Sequence, residues 1–201
     1  MNVENGYWYF KSVISPETCN KIIQLDQRSF VQGEVRDKSL SLKKLKRETR
    51  NSLVKFSADQ WLFDLIWPYM DEANRNAGWN FQIDWTESVQ LTRYTKDGFY
   101  NWHVDQDAKP YPSNSPHKNY RGKVRKLSLT INLTDPSTYK GGRMQFEFPK
   151  IAKKAEVGEC LSARAQGSVI VFPSFVLHRV TPVTEGTRYS LVAWFLGEPF
   201  R

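Results

Sequence analysis

His103 and Asp105 stand two residues apart in the stretch YNWHVDQD (100–107), in a chain with three histidines: His103, His117 and His178. On a β-strand, residues i and i+2 face the same side. One imidazole nitrogen and one carboxylate oxygen can therefore meet at a single point. Taken alone the pair has two readings: a salt-linked structural pair, or two-thirds of a metal site whose third ligand lies far along the chain. His178, in VIVFPSFVLHRV (169–180), follows a short apolar strand and a Pro-Ser turn and is the candidate third ligand. Two imidazoles and one carboxylate on one face of an octahedral ion leave three positions open, a donor set suited to a ferrous ion that handles oxygen.

Ten residues after His178 come Arg188 and Ser190, again two apart on one face of an expected strand. A guanidinium there can hold a carboxylate through two parallel hydrogen bonds, and the hydroxyl can add a third. Such a clamp is what an iron centre needs if a keto acid chelates the metal at one end and leaves its far carboxylate to the protein.

These groups have to be carried by strands, and the second half of the chain supplies them. Residues 125–135 alternate cleanly, with Leu127, Leu129, Ile131 and Leu133 on one face and Ser128, Thr130, Asn132 and Thr134 on the other. Residues 81–94 alternate in places. Residues 141–148 read as a turn and strand, 167–172 as a short apolar strand, and 187–197 as a strand buried on both faces. Trp194 falls on the Arg188 face and reads as barrel filling. Residues 108–123, rich in Pro, Asn, Ser and Lys, read as a long exposed loop, with His117 an exposed histidine within it.

The first 80 residues read differently. A helix is expected over 15–30, capped by Ser15 with Pro16 at its first position and with Cys19, Ile22, Ile23 and Phe30 inward. A second is expected over 58–77, with Ser57 and Gln60 as a capping box, Pro68 as a kink or break and Gly78 at its end. Trp61, Leu62, Leu65, Ile66 and Met70 form its apolar stripe. Between them Lys43, Lys44, Lys46, Arg47 and Arg50 make a basic run, read as a solvated loop or a lid over substrate. Helices followed by many short strands imply an α+β, mainly β fold: a sandwich or barrel with the helices packed outside. The chain is expected to form a single domain, with 1–80 as a helix-rich support and 81–201 as the core.

Composition is that of a folded protein: 201 residues, 40% hydrophobic, 25% charged, with 7 Trp, 9 Tyr and 12 Phe. The net charge of +8 favours acidic partners without choosing among them. Cys19 and Cys160 stand far apart, which argues against a disulfide framework and a zinc knuckle. Neither a signal peptide nor a membrane span is evident. A cytoplasmic protein without membrane attachment is expected.

Taken together, His103-x-Asp105, His178 and Arg188-x-Ser190 resemble the motif set of the Fe(II)/2-oxoglutarate-dependent dioxygenases. The wording around them resembles the prolyl 4-hydroxylase-like, or PKHD-type, branch. It does so in LTRYTKDGFYNWHVDQD (91–107), in the 129–134 strand followed by Gly141-Gly142, and in HRVTPVTEGTRYSLVAWFLG (178–197). The resemblance covers about residues 85–198. It implies a double-stranded β-helix, or jelly roll, with His103, Asp105 and His178 on iron and Arg188 on the distal carboxylate of 2-oxoglutarate. It also places Tyr94 in the pocket and Asn132 near a position where relatives commonly carry a Tyr that touches that carboxylate. Iron(II), 2-oxoglutarate and O2 are the implied cofactors, with ascorbate a further candidate. The retained Asp105 implies hydroxylation rather than halogenation, with succinate and CO2 as by-products. The implied substrate is a prolyl residue in a peptide or protein, Pro-containing or acidic. Two other readings stand beside it. Demethylation of alkylated nucleic acid would suit the charge, but such relatives carry a second Arg where this chain has Trp194, so nucleic acid is not the expected partner. A non-catalytic jelly-roll sensor would need no Arg188 clamp.

Overall fold

The protein is described by a computed structural model that covers residues 5–25, 29–33, 49–148 and 156–200. The basic run through Arg47 lies outside the described residues; Arg50 lies within them.

Two α-helices form where the apolar residues recur at helical spacing, and a side-chain cap starts the first of them. Helix α1 (Pro16–Ile23) starts as expected: the Ser15 hydroxyl accepts the Thr18 N–H at 3.1 Å and Pro16 takes the first turn. It stops at Ile23, well short of residue 30, because the chain turns away to pair Val31–Gln32 (β2) with Leu53–Ser57 (β4). Helix α2 (Gln60–Asn76) departs from expectation at its start. Ser57 ends a strand, and its hydroxyl bonds Asp59 while Gln60 reaches Asp64 at 2.9 Å, so no capping box forms. Pro68 neither splits nor ends this helix. Its missing N–H leaves the Asp64 carbonyl unpaired on the exposed face, where water can satisfy it. Gly78, at φ +74°, closes the helix.

Apart from two short 3-10 turns, Lys118–Tyr120 and Leu161–Arg164, the remaining described elements are strands. In chain order these are Trp8–Phe10 (β1), β2, Arg50–Asn51 (β3), β4, Trp85–Thr86 (β5), Val89–Tyr94 (β6), Phe99–His103 (β7) and Val124–Asn132 (β8). Lys140–Gly141 (β9), Met144–Phe148 (β10), Glu156–Glu159 (β11), Val169–Pro173 (β12), Leu177–Val180 (β13), Val183–Glu185 (β14) and Arg188–Gly197 (β15) follow. An eight-stranded sheet runs β1-β12-β8-β15-β6-β4-β2 with β5 beside β15, and a five-stranded sheet runs β11-β10-β13-β7-β3. All their pairings are antiparallel. This is the mainly β jelly roll with N-terminal helices outside it. The N-terminal part also contributes strands, which the helix-rich reading of it missed: β1, β2 and β4 extend the large sheet and β3 edges the small one.

The alternation in β8 decides where the core and the pocket lie. Leu127, Leu129, Ile131 and Leu133 are fully buried in one cluster with Leu62, Ile66 and Met70 of α2. The apolar face of the large sheet therefore points out of the barrel, against the helices. The polar face, carrying Ser128, Thr130 and Asn132, points between the sheets, and these residues are buried too. Ile66→Ala is expected to destabilise the fold by about 2–5 kcal/mol. A fall in the urea midpoint with an unchanged m-value would record it.

Candidate active site

The small sheet brings the two histidines side by side. His103 ends β7 and pairs directly with His178 on β13, their rings 4.1 Å apart. Asp105 is not on the strand expected to carry it. β7 stops at His103, and the next bend swings Asp105 inward, where its N–H and that of Gln106 both donate to the Ser174 carbonyl at 2.8 and 2.9 Å. One ligand atom from each of His103, Asp105 and His178 lies within 4.8 Å of the others, a group able to hold a metal ion.

The hydrogen bonds around the triad select its chemistry. His103 Nδ1 lies 2.7 Å from the Asn101 carbonyl and His178 Nδ1 2.9 Å from the Val176 carbonyl. A carbonyl oxygen only accepts, so each Nδ1 carries a proton, and in the neutral tautomer this leaves the lone pair on Nε2. Those Nε2 atoms face Asp105 at 3.7 and 3.6 Å, beyond good hydrogen-bond range. Burial, then the neighbouring His178, pushes His103 down to about 3, so it is a neutral donor. Burial works against the Asp105 charge, but His178, His103 and Arg125, with the Ser128 hydrogen bond, hold its carboxyl below the usual range. Two lone pairs and a carboxylate converging on one point repel one another unless a cation lies between them.

Ser128 orients the carboxylate. Its hydroxyl donates to Asp105 Oδ2 at 2.7 Å and meets the Ser174 hydroxyl at 2.9 Å. Ser128→Ala should weaken metal affinity by roughly 10–100-fold, the usual cost of losing such support. Anaerobic metal titration would show it, and an unchanged affinity would mean Asp105 needs no orientation.

A recess between the sheets links the triad to the expected clamp. It is lined by His103, Asp105 and His178 and by Tyr94, Arg188 and Ser190, with Arg50, Tyr100 and Trp194. Arg188 is 5% exposed, and its Nη1 has no hydrogen-bond partner among the described residues. Its guanidinium carbon lies 5.6 Å from the centre of the Tyr94 ring, in the strand paired with its own. Asn132 lies elsewhere. It lines a neighbouring recess with Tyr139 and Arg188, and its amide hydrogens go to the Thr134 and Arg164 carbonyls at 2.9 and 2.7 Å. No amide hydrogen remains there for a carboxylate.

Other residues shape the site: Arg50 was read from the sequence only as part of the basic run, and Glu87, Tyr111 and Arg125 were not singled out. The Tyr100 ring stacks on His103 at 3.5 Å, and Arg50 lies 4.5 Å over the other partner of that stack, the Tyr100 ring. Burial above all pushes the Tyr100 hydroxyl up to about 12, so it stays protonated. Glu87 takes two 2.6 Å hydrogen bonds from Arg125 and one of 2.7 Å from Tyr111, and Arg125 reaches the Asp105 carbonyl at 3.3 Å. Tyr111 thus ties the 108–123 loop to the site, and its base is closed by Tyr111–Lys123 and Gly122–Tyr111 backbone bonds.

A jelly roll with two imidazoles and a carboxylate at one part of its recess, and a buried guanidinium with one unanswered nitrogen at another, is a scaffold suited to a metal-dependent oxygenase. Residues 89–196 match the 2OG-Fe(II) oxygenase superfamily, and the chain belongs to it. Part of the chain is similar to PKHD-type hydroxylases. It is 33% identical over 105 residues to a PKHD-type hydroxylase of Acidovorax ebreus, 52% of this chain and 41% of that protein. To a PKHD-type hydroxylase of Rippkaea orientalis it is 35% identical over 107 residues, 53% of this chain and 41% of that one. The matched part thus spans about two fifths of these relatives' length. The fold is shared with a Pseudomonas putida prolyl-4-hydroxylase (TM-score 0.62, 16% identity, 96% of this chain and 92% of that one). It is also shared with a Trichoplax adhaerens prolyl hydroxylase solved with a hypoxia inducible factor peptide (TM-score 0.68, 15% identity, 96% and 84%).

The residues present fit the groups this superfamily uses. Two imidazole Nε2 donors and one carboxylate suit a ferrous ion and leave part of its coordination sphere open. The orphaned Nη1 of Arg188 suits a carboxylate oxygen. Among the described residues, no helix is long and apolar enough to cross a membrane.

Proposed function

We propose that the protein is an Fe(II)- and 2-oxoglutarate-dependent hydroxylase acting on a peptide or protein, with prolyl residues the foremost target and succinate and CO2 as by-products. The observation that carries this reading is the buried, unpartnered Arg188 Nη1 in the recess that also holds His103, Asp105 and His178. A sensor that bound metal alone would have no use for it. In this reading the three triad residues hold iron and Arg188 holds the distal carboxylate of 2-oxoglutarate, with Ser190 and Tyr94 beside it. Iron, when bound, supplies the activation of O2. The protein's own part is to select, through the two Nδ1 contacts, the tautomer that turns each Nε2 to the metal, to orient Asp105 through Ser128, and to enclose the cosubstrate between two sheets.

The prolyl assignment is supported by the PKHD-type relatives and by the fold shared with prolyl hydroxylases. Both cysteines are free and buried, which suits a reducing compartment such as the cytoplasm. Ascorbate would serve to keep the iron ferrous. Incubation with Fe(II), ascorbate, 2-oxoglutarate and a panel of proline-containing and proline-free peptides tests the reading. Succinate and a +16 Da product confined to proline-containing peptides are expected. Modification only of proline-free peptides would overturn the prolyl assignment, and no succinate under any condition would overturn the enzyme class.

A further inference from the structure

Trp194 carries a second buried donor that the protein does not answer. Its indole Nε1 is buried without a hydrogen-bond partner among the described residues, and the residue is 7% exposed. The ring nevertheless lines the recess of His103, Asp105, His178 and Arg188, so it is not simply barrel filling. An indole nitrogen donates and never accepts. Buried polar groups in native proteins are nearly always paired, so a fixed, unpaired one in a ligand recess calls for a ligand atom.

The ring is held firmly. Arg125 stacks on it, its guanidinium carbon 4.0 Å from the ring centre, and Glu87 pins Arg125 through two 2.6 Å hydrogen bonds. The position along the recess is equally defined. Trp194 on β15 is the cross-strand partner of Ser128 on β8, and such partners share a sheet face. Ser128 is the residue that holds Asp105 Oδ2. Trp194 therefore stands on the Asp105 side of the recess, while Arg188, six residues earlier on the same strand face, stands further along it.

A keto diacid in this recess has two anionic ends. The far carboxylate meets Arg188. At the metal end, where one carboxylate oxygen would bind the ion, the other would be left charged and buried, in need of a donor. The recess has a matching donor in Trp194. We propose that Trp194 is a cosubstrate-binding residue whose Nε1–H donates to the metal-end carboxylate of 2-oxoglutarate. The inference rests on the reading of the site as an iron and 2-oxoglutarate centre and adds a residue to it.

Indole N–H signals of the ¹⁵N-labelled protein test it without turnover. The protein is loaded with Zn(II), a diamagnetic stand-in for iron, and titrated with 2-oxoglutarate. The Trp194 signal is the one missing from Trp194→Phe, or is assigned by triple-resonance experiments on the native chain if that variant does not fold. Among the signals of the 7 Trp, that of Trp194 is expected to move downfield and to exchange more slowly with water as 2-oxoglutarate saturates. Trp194→Phe, which keeps a ring for Arg125 to cover, is expected to bind 2-oxoglutarate roughly tenfold more weakly with Zn(II) affinity unchanged. If other recess signals respond to 2-oxoglutarate while the Trp194 indole does not, the proposal is overturned and the cosubstrate reading stands. If no signal in the protein responds, the cosubstrate reading itself fails and the proposal falls with it.

Discussion

His178→Ala is expected to end iron-dependent turnover of 2-oxoglutarate. In the proposed site the residue supplies one of three protein donors, and the Nδ1 contact with the Val176 carbonyl selects the tautomer that turns the Nε2 lone pair to the metal. Alanine has no donor, so the metal would be left to His103 and Asp105. The loss should exceed the roughly 100-fold that removing a supporting hydrogen bond can cost. His178 also packs against Phe172, with ring centres 4.7 Å apart, so its removal opens space in the barrel. Asp105→Asn separates the two effects. It is nearly isosteric, keeps an oxygen for Ser128, and removes the charge that binds the ion. Both variants should lose iron after anaerobic reconstitution and desalting, and Asp105→Asn should unfold at a temperature close to that of the native protein. Full iron retention and turnover in either variant would contradict the triad.

Arg188→Ala should act on the cosubstrate and spare the metal. Deleting one partner of a buried, hydrogen-bonded charge pair costs about 2–5 kcal/mol. In turnover that is a rise of roughly 30-fold or more in the 2-oxoglutarate concentration required. Iron content should stay near native, because Arg188 is not one of the three residues grouped to hold the ion. Arg188→Lys should recover part of the loss, since a point charge replaces a planar fork. An unchanged requirement for 2-oxoglutarate in Arg188→Ala would remove the clamp from the account. A parallel loss of iron would mean that the residue supports the barrel instead.

The sequence was most legible where chemistry is carried by rare residues at short spacing. Three histidines are few enough that His103-x-Asp105 and His178 stand out, and Arg188-x-Ser190 follows His178 by ten residues. The β8 alternation was legible as well, but not which face was inside. That depends on α2 lying outside, where Ile66 and Met70 bury the leucine side and leave Ser128 and Thr130 for the recess. The supporting groups were not legible, because they meet only through the fold. Glu87 and Arg125 are 38 residues apart, and Ser128 lies 23 from Asp105. Nothing local in either sequence stretch marks such a pair. Strands β1 to β4 were missed for a related reason. They are two to five residues long, too short for alternation to register, and exist because a longer strand offers them an edge. Helix α1 was overextended because caps mark its start, whereas its end is set by the pairing of Val31 with Val54.

The central claim is that one recess holds both the metal and the keto acid. Anaerobic addition of Fe(II) and then 2-oxoglutarate, followed by visible absorption, tests it most directly. A keto acid chelated to ferrous iron absorbs visible light, and neither component does so alone. The expected result is a band that needs both components, saturates at one equivalent of iron and is absent in His178→Ala. Iron that binds at one equivalent with no band at any concentration of 2-oxoglutarate would contradict it.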